Sequence, residues 1–325
     1  MCSERVRLAL GVVALALASC RAPASVELAH PTAPGDGPRV LCVTAHPDDE
    51  IAFAGVLYKN ATLLHGRCDL AVITNGEGGF KYATLAEPLY GLELTDEEVG
   101  RAHLPAIRRE ELLSGCRLLG VHEVFFLNEW DHRYTQDVEE VLGADDPAWD
   151  VERVETRLEE ILRAGRYDFL LLLTPTAETH GHHKAASILA LRARERLPHE
   201  ERPAALTVLG RREDAPAPSY REPLPGYPLT RPESDARYVF DRRQRFGFRG
   251  RLDYRIVANW AIAEHRSQGT MQLLANQGAE EHYFLLAGGP PNARERAARF
   301  FEALAGEQFE TKTYGASAGT NATAR

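Results

Sequence analysis

The stretch Val40-Leu41-Cys42-Val43-Thr44-Ala45-His46-Pro47-Asp48-Asp49-Glu50 decides how this chain is read. Six apolar or small residues, rich in β-branched side chains, run straight into a histidine, a proline and three consecutive acids. The apolar run is a buried strand. The acids after it suit a first helical turn, where carboxylates complement the helix dipole and Asp caps free N–H groups. Capping does not call for His46. The segment is therefore either an elaborate helix cap or half of a metal site.

Outward from this stretch the chain alternates. Helical pattern follows from about Asp49 to Leu64, then the strand "CDLAVIT" ends in the turn "NGEGG". The amphipathic "LPAIRREELLSGCRLLG" is a helix stopped by Gly120. A third strand "HEVFFLN" precedes the helix "DVERVETRLEEILRAG", stopped by Gly165. "YDFLLLLTP" is apolar throughout, as a strand covered on both faces must be. The helix "HHKAASILALRARERL" and a fifth strand "AALTVLG" follow. Strand–helix alternation at this spacing predicts an α/β fold: a doubly wound, mostly parallel sheet flanked by helices, with its strand C-termini on one edge. Two segments break the alternation: 80–99, polar with Tyr82 and Tyr90, and 211–235, with six prolines and with Tyr220 and Tyr227. Such long loops shape binding sites or are inserts. The tyrosines either stack on a ligand or pack the loops onto the body.

The 325 residues are 44% hydrophobic and 26% charged, with a formal charge of −9. Acids and bases are interspersed and no basic stripe appears, so nucleic acid is not expected as a partner. The first residues read differently. Arg5 and Arg7 precede an apolar run from Leu8 to Leu17, too short to span a bilayer as a mature helix but suited to a signal peptide. It ends in Leu17-Ala18-Ser19-Cys20, which looks like a bacterial lipoprotein cleavage box. The expected organisation is a signal peptide at 1–19, acylation of Cys20, a Pro- and Ala-rich tether at 20–38, the folded domain at 39–304 and a disordered tail at 305–325. The protein is thus expected to be exported and membrane-anchored through Cys20. Cys42, Cys68 and Cys116 match no zinc knuckle. Cys42 and Cys68 either pair across neighbouring strands or remain buried thiols.

The second chemical cluster is Thr179-His180-Gly181-His182-His183, shortly after the fourth strand. Alone it is either a polar first helical turn or a set of ligands. Both clusters stand at C-terminal ends of parallel strands, so the fold brings them to one edge. His46, Asp49 and His183 make a three-ligand set that leaves a coordination position open, as catalytic zinc requires. Asp48 is placed as general base, and a protonated His180 as stabiliser of a tetrahedral oxyanion. Glu50 either orients His46 or caps the helix.

"AHPDDE", "TNGEGG", "RREELLSGCRLLG", "HGHHKAA" and "AEHRSQ" resemble segments of the PIG-L/LmbE-like de-N-acetylases, over roughly Arg39 to Leu304. The resemblance implies a Rossmann-like fold and a hydrolase with one zinc per chain that removes acetyl from an N-acetylated amino sugar, glycan or glycoconjugate. It implies the same ligands, base and oxyanion stabiliser, and adds Arg108 at a position that faces substrate; a surface ion pair is the plainer role. Two residues depart from the pattern: Gly181-His182 replace a Pro-Asp pair, and Glu178 replaces a Tyr, as a proton shuttle or a solvent-facing residue. His265 is either a rim residue or a helix-packing one. Two other readings remain, a surface glycan-binding lipoprotein with a vestigial metal site and a non-haem iron oxygenase.

Overall fold

The computed structural model describes residues 24–29, 34–306 and 308–309. Among these, the strands in chain order are β1 (Ser25–Glu27), β2 (Arg39–Thr44), β3 (Arg67–Thr74), β4 (Glu123–Glu129), β5 (Phe169–Leu173), β6 (Ala204–Arg211), β7 (Pro232–Asp241), β8 (Arg245–Phe246), β9 (Leu252–Asp253) and β10 (Glu280–Leu286). Eight of them form one sheet in the order β1-β4-β3-β2-β5-β6-β10-β7. The central five, β4 to β6, are parallel, while β1 and the pair β10 and β7 add on antiparallel. The fold is the expected Rossmann-like α/β arrangement.

Side-chain alternation builds the layers. Val40 and Cys42 of β2 face one core cluster, with the helices Ala54–Thr62, Glu97–Leu119 and Arg255–Glu264. Leu41 and Val43 face another, with the helices Val151–Gly165 and Gly181–Glu195. At ~25 cal/mol per Å² of apolar surface, this two-sided burial is the main stabilising term of the domain.

The strand order places the site. Reading outward from β2, the chain winds through β3 and β4 to one side, then crosses to β5 and β6 on the other. The reversal falls between β2 and β5, which are hydrogen-bonded neighbours. Doubly wound sheets bind ligands in the crevice outside the strand C-termini at that reversal. His46 follows β2 by two residues and His183 follows β5 by ten, so both clusters open onto it.

Several boundaries differ from expectation. Ser25–Glu27, inside the stretch read as tether, is an edge strand paired with β4, and Leu28 beside it is buried; three residues are too short for a periodicity signal. The antiparallel β7 and β10 were hidden for a related reason, lying beyond the strand–helix repeat. The helix expected from Asp49 is a 3-10 segment, Asp49–Phe53, running into the α-helix Ala54–Thr62. The helix expected from Leu104 starts at Glu97, capped by Asp96 and carrying Pro105 inside. At the far end, the helix Ala293–Gly306 passes residue 304, and Phe309 packs against the core. The two breaks are ordered pieces. Ala83, Ala86 and Leu94 form a small cluster with Leu104, and Tyr90 bonds Glu111 at 2.9 Å. Tyr220 is buried, its hydroxyl donating to the Thr230 carbonyl at 2.6 Å, and Tyr227 reaches Glu139 at 2.5 Å. Tyr82 stays exposed. Cys42, Cys68 and Cys116 are free and buried. Cys20 and the signal segment lie outside the described residues.

Candidate metal centre

The site begins with a strained turn. Asp48 holds φ 151° and ψ −13°, a conformation L-residues rarely adopt and that costs about 1–3 kcal/mol. Arg108 sustains it from the helix Glu97–Leu119: its guanidinium donates to Gly76 O at 2.6 Å, Pro47 O at 2.7 Å and Asp48 Oδ2 at 2.8 Å. Arg108 is 2% exposed. It is a buried partner of Asp48 rather than a surface ion pair, and it holds the Asp48 carboxylate in place. Burial raises the Asp48 carboxyl above its usual range, with Arg108 opposing and Asp49 adding to the rise. A raised carboxyl suits a proton acceptor that must later return its proton.

The same turn aims His46 and Asp49 at the helix Gly181–Glu195. Asp49 Oδ2 accepts from the backbone N–H groups of Ala45 at 3.0 Å and His46 at 2.8 Å, while Oδ1 lies 3.0 Å from His183 Nε2. His46 Nδ1 lies 3.1 Å from His183 Nε2 and 3.6 Å from Asp49 Oδ2. Ligands ~2.0–2.1 Å from a tetrahedral ion stand about 3.3 Å from one another. The two imidazole nitrogens sit near that spacing, and the Asp49 carboxylate faces both, Oδ1 toward His183 and Oδ2 toward His46, so the residues fit a divalent cation. Electrostatics agree. Burial works against charge on His46, yet Asp131 and Asp49 raise its imidazolium to about 9, so this carboxylate-rich pocket favours positive charge. Burial pushes Asp49 up, but His183 and His46 hold it well below the usual carboxylate range.

The orientation of the His46 ring follows from its other neighbours. Nε2 lies 3.0 Å from His182 Nδ1, and His182 Nε2 lies 2.9 Å from His132 Nδ1. His132 Nε2 faces the Glu140 carboxylate at 3.6 Å. A carboxylate favours a proton on the nitrogen facing it. Glu140 thus favours a proton on His132 Nε2, and Asp131, whose Oδ1 lies 3.3 Å from His182 Nδ1, favours one on His182 Nδ1. His46 Nδ1 faces His183 on the cation side, and Nε2 faces His182, a position from which residues behind a metal-binding histidine orient the ring. His182 thus acts on His46, with its pKa lowered to about 4 chiefly by burial. The carboxylate missing from its position is partly replaced by Asp131, whose Oδ1 lies 3.3 Å from His182 Nδ1 and 3.8 Å from His46 Nε2.

His180 caps its helix: Nδ1 accepts the His182 N–H at 3.0 Å. That bond puts its proton on Nε2. Burial, with His46 and His182 adding, lowers its pKa to about 2. The backbone bond and burial both favour a neutral His180 over the protonated form expected from the sequence. Glu50 turns away from His46 to His265 Nε2 at 2.5 Å, both side chains fully buried, so His265 is a packing residue. Glu178 is exposed on the loop before the helix; its carbonyl accepts from Gln136 at 3.0 Å, and its side chain is not part of the cluster. Asp131, His132 and Glu140 escaped the sequence reading. Asp131-His132 stands one residue beyond the end of β4, at the same sheet edge, a positional signal that was available.

Residues 41–194 match the family model PIG-L, described as GlcNAc-PI de-N-acetylase. A Bacillus cereus protein named probable N-acetyl-alpha-D-glucosaminyl L-malate deacetylase 2 is 27% identical over 169 residues, covering 52% of this chain and 66% of the relative. Among solved structures, the N,N'-diacetylchitobiose deacetylase of Pyrococcus horikoshii is 28% identical over 49% of this chain and half of its own, with a TM-score of 0.37. The 4-carboxy-2-hydroxymuconate hydratase GalB of Pseudomonas putida KT2440 is 16% identical over 76% of this chain and 95% of its own, with a TM-score of 0.47. The matched segment carries the turn at His46, the anchoring Arg108 and the paired histidines. Over residues 41–194 the chain is thus similar to the PIG-L/LmbE-like family.

Proposed function

We infer that the protein is a zinc-dependent hydrolase that removes acetyl from an N-acetylated amino sugar or glycoconjugate. The observation that carries this reading is the pairing of a three-donor set (His46, Asp49, His183) with a carboxylate beside it that Arg108 holds in a strained turn. The family and its deacetylase relatives support the amino-sugar class.

Zinc held by His46, Asp49 and His183 would supply Lewis acidity toward the amide carbonyl and bring a water's pKa down toward ~7. The chain's own residues do the rest. Asp48 takes the proton of the attacking water, with Arg108 keeping its carboxylate in place. His180 Nε2–H donates to the carbonyl oxygen as negative charge gathers there. Asp48 then returns the proton to the departing amine. His182, backed by His132, holds the His46 ring in place.

The zinc-loaded protein is expected to release acetate from N-acetylglucosamine oligomers and to stop on chelation. Stoichiometric sugar binding without acetate release would favour a glycan-binding protein instead. We further propose that the protein is exported and anchored through an acylated Cys20; Leu17-Ala18-Ser19-Cys20 after a short apolar run supports this. Cys20→Ser is expected to move the protein from the membrane to the soluble fraction. An unchanged distribution would remove the anchor.

A further inference from the structure

A cavity of about 440 Å³ opens beside the centre, and its walls are mainly aliphatic. Asp49 and His183 border it; Ile51, Leu173, Leu209, Ile262 and Met271 line one part of the wall, and Arg211, Arg212, Arg242 and Gln277 stand at another. None of His46, Asp48, Arg108, Asp131 or His180 borders it. The cavity therefore meets the metal donors across their Asp49–His183 face. The polar groups stand across His46, together with the exposed rings of Trp130 and Tyr134, the latter 4.7 Å from the His180 ring. A scissile amide at the centre has two ends. Sugar hydroxyls need hydrogen-bonding partners and a ring face to stack on, which the His180 side provides. The other end meets hydrocarbon.

We propose that this cavity receives the acyl chain of the substrate, and that the enzyme removes N-acyl groups longer than acetyl from an amino sugar. This rests on the hydrolase reading above. An acetyl methyl would fill only a small part of the volume, whereas a chain of six to eight carbons covers the aliphatic wall. The reaction is ordinary amide hydrolysis: the water oxygen bonds to the acyl carbon, the C–N bond breaks, and the proton passes to the amine. The products are a fatty acid and a free amino sugar.

The test compares zinc-loaded, full-length protein on N-acetyl-, N-butanoyl-, N-hexanoyl- and N-octanoyl-glucosamine, each below its micellar concentration. Each buried methylene is worth about fourfold. The expected result is a kcat/KM at least about tenfold higher for hexanoyl than for acetyl. A flat or falling series overturns the proposal. Octyl N-acetylglucosaminide carries its chain on the other end. An equal gain there means that the cavity holds the aglycone, and the acyl assignment falls. In Met271→Glu, with the melting temperature checked, the octanoyl-to-acetyl ratio is expected to drop at least about fivefold; an unchanged ratio places the chain elsewhere. If no substrate turns over, the hydrolase reading fails, and binding to Asp48→Asn still decides the cavity. N-octanoylglucosamine is expected to bind at least about tenfold more tightly than N-acetylglucosamine, and equal affinities overturn the proposal.

Discussion

Asp48 and Arg108 act as one unit. The guanidinium spends its terminal nitrogens on two backbone carbonyls and one carboxylate oxygen, which only a planar fork can do at once. Arg108→Lys keeps the charge and loses the fork, so the turn relaxes and the base drifts. The expected outcome is a loss of roughly tenfold or more in kcat with a lowered melting temperature, measured on the zinc-loaded enzyme. Asp48→Asn removes the base without changing shape; kcat is expected to fall about 10²–10⁴-fold while zinc content stays at the wild-type level. Wild-type turnover in that variant would mean the proton goes elsewhere. At this scale the sequence was most readable where residue type and spacing coincide: His46, Asp48, Asp49, His180 and His183 all reach the centre. It was least readable where a role depends on a partner far along the chain. Arg108 faces inward to Asp48, and Glu50 bonds His265, 215 positions away. No local pattern announces either contact.

At the scale of elements, the sheet was legible where strands are long and apolar on both faces. β5, with Phe169–Leu173 between two layers, is the clearest case. Short or one-sided strands were not, because β1 has three residues and β7 alternates at an edge. Close packing also escapes periodicity. Gly55 opens the helix Ala54–Thr62 against β7: a Cβ there would meet the Phe240 ring at 2.2 Å and Glu281 Oε1 at 2.9 Å, and its N–H donates to that oxygen at 2.7 Å. Gly55→Ala is expected to destabilise by about 1–3 kcal/mol, read from the shift of a urea midpoint. An unchanged midpoint would mean that the helix does not sit this close to β7. The parallel neighbours β2 and β3 carry Cys42 and Cys68, which stay free. Burial pushes the Cys68 thiol up to about 12, so at pH 8 about one in ten thousand is thiolate. Native protein is expected to resist alkylation there, and unfolding in urea to expose the thiols of Cys42, Cys68 and Cys116. Rapid native labelling would contradict the burial.

At the scale of the whole molecule, the sheet's winding explains why residues more than 130 positions apart share a centre. β2 and β5 are adjacent only because the chain reverses direction between them, and everything chemical hangs from that reversal. A cation there ties the turn after β2 to the helix after β5, so it stabilises the fold by binding the native state alone. Zinc is expected to raise the melting temperature by several degrees, and His183→Ala to abolish that rise. An equal rise in the variant would place the ion elsewhere. The most direct measurement is anomalous diffraction at the zinc edge from crystals of the zinc-loaded protein. The account predicts one strong peak per chain, bonded to His46 Nδ1, His183 Nε2 and Asp49 at ~2.0–2.2 Å. A peak bonded to other residues, or none between these three, would contradict it.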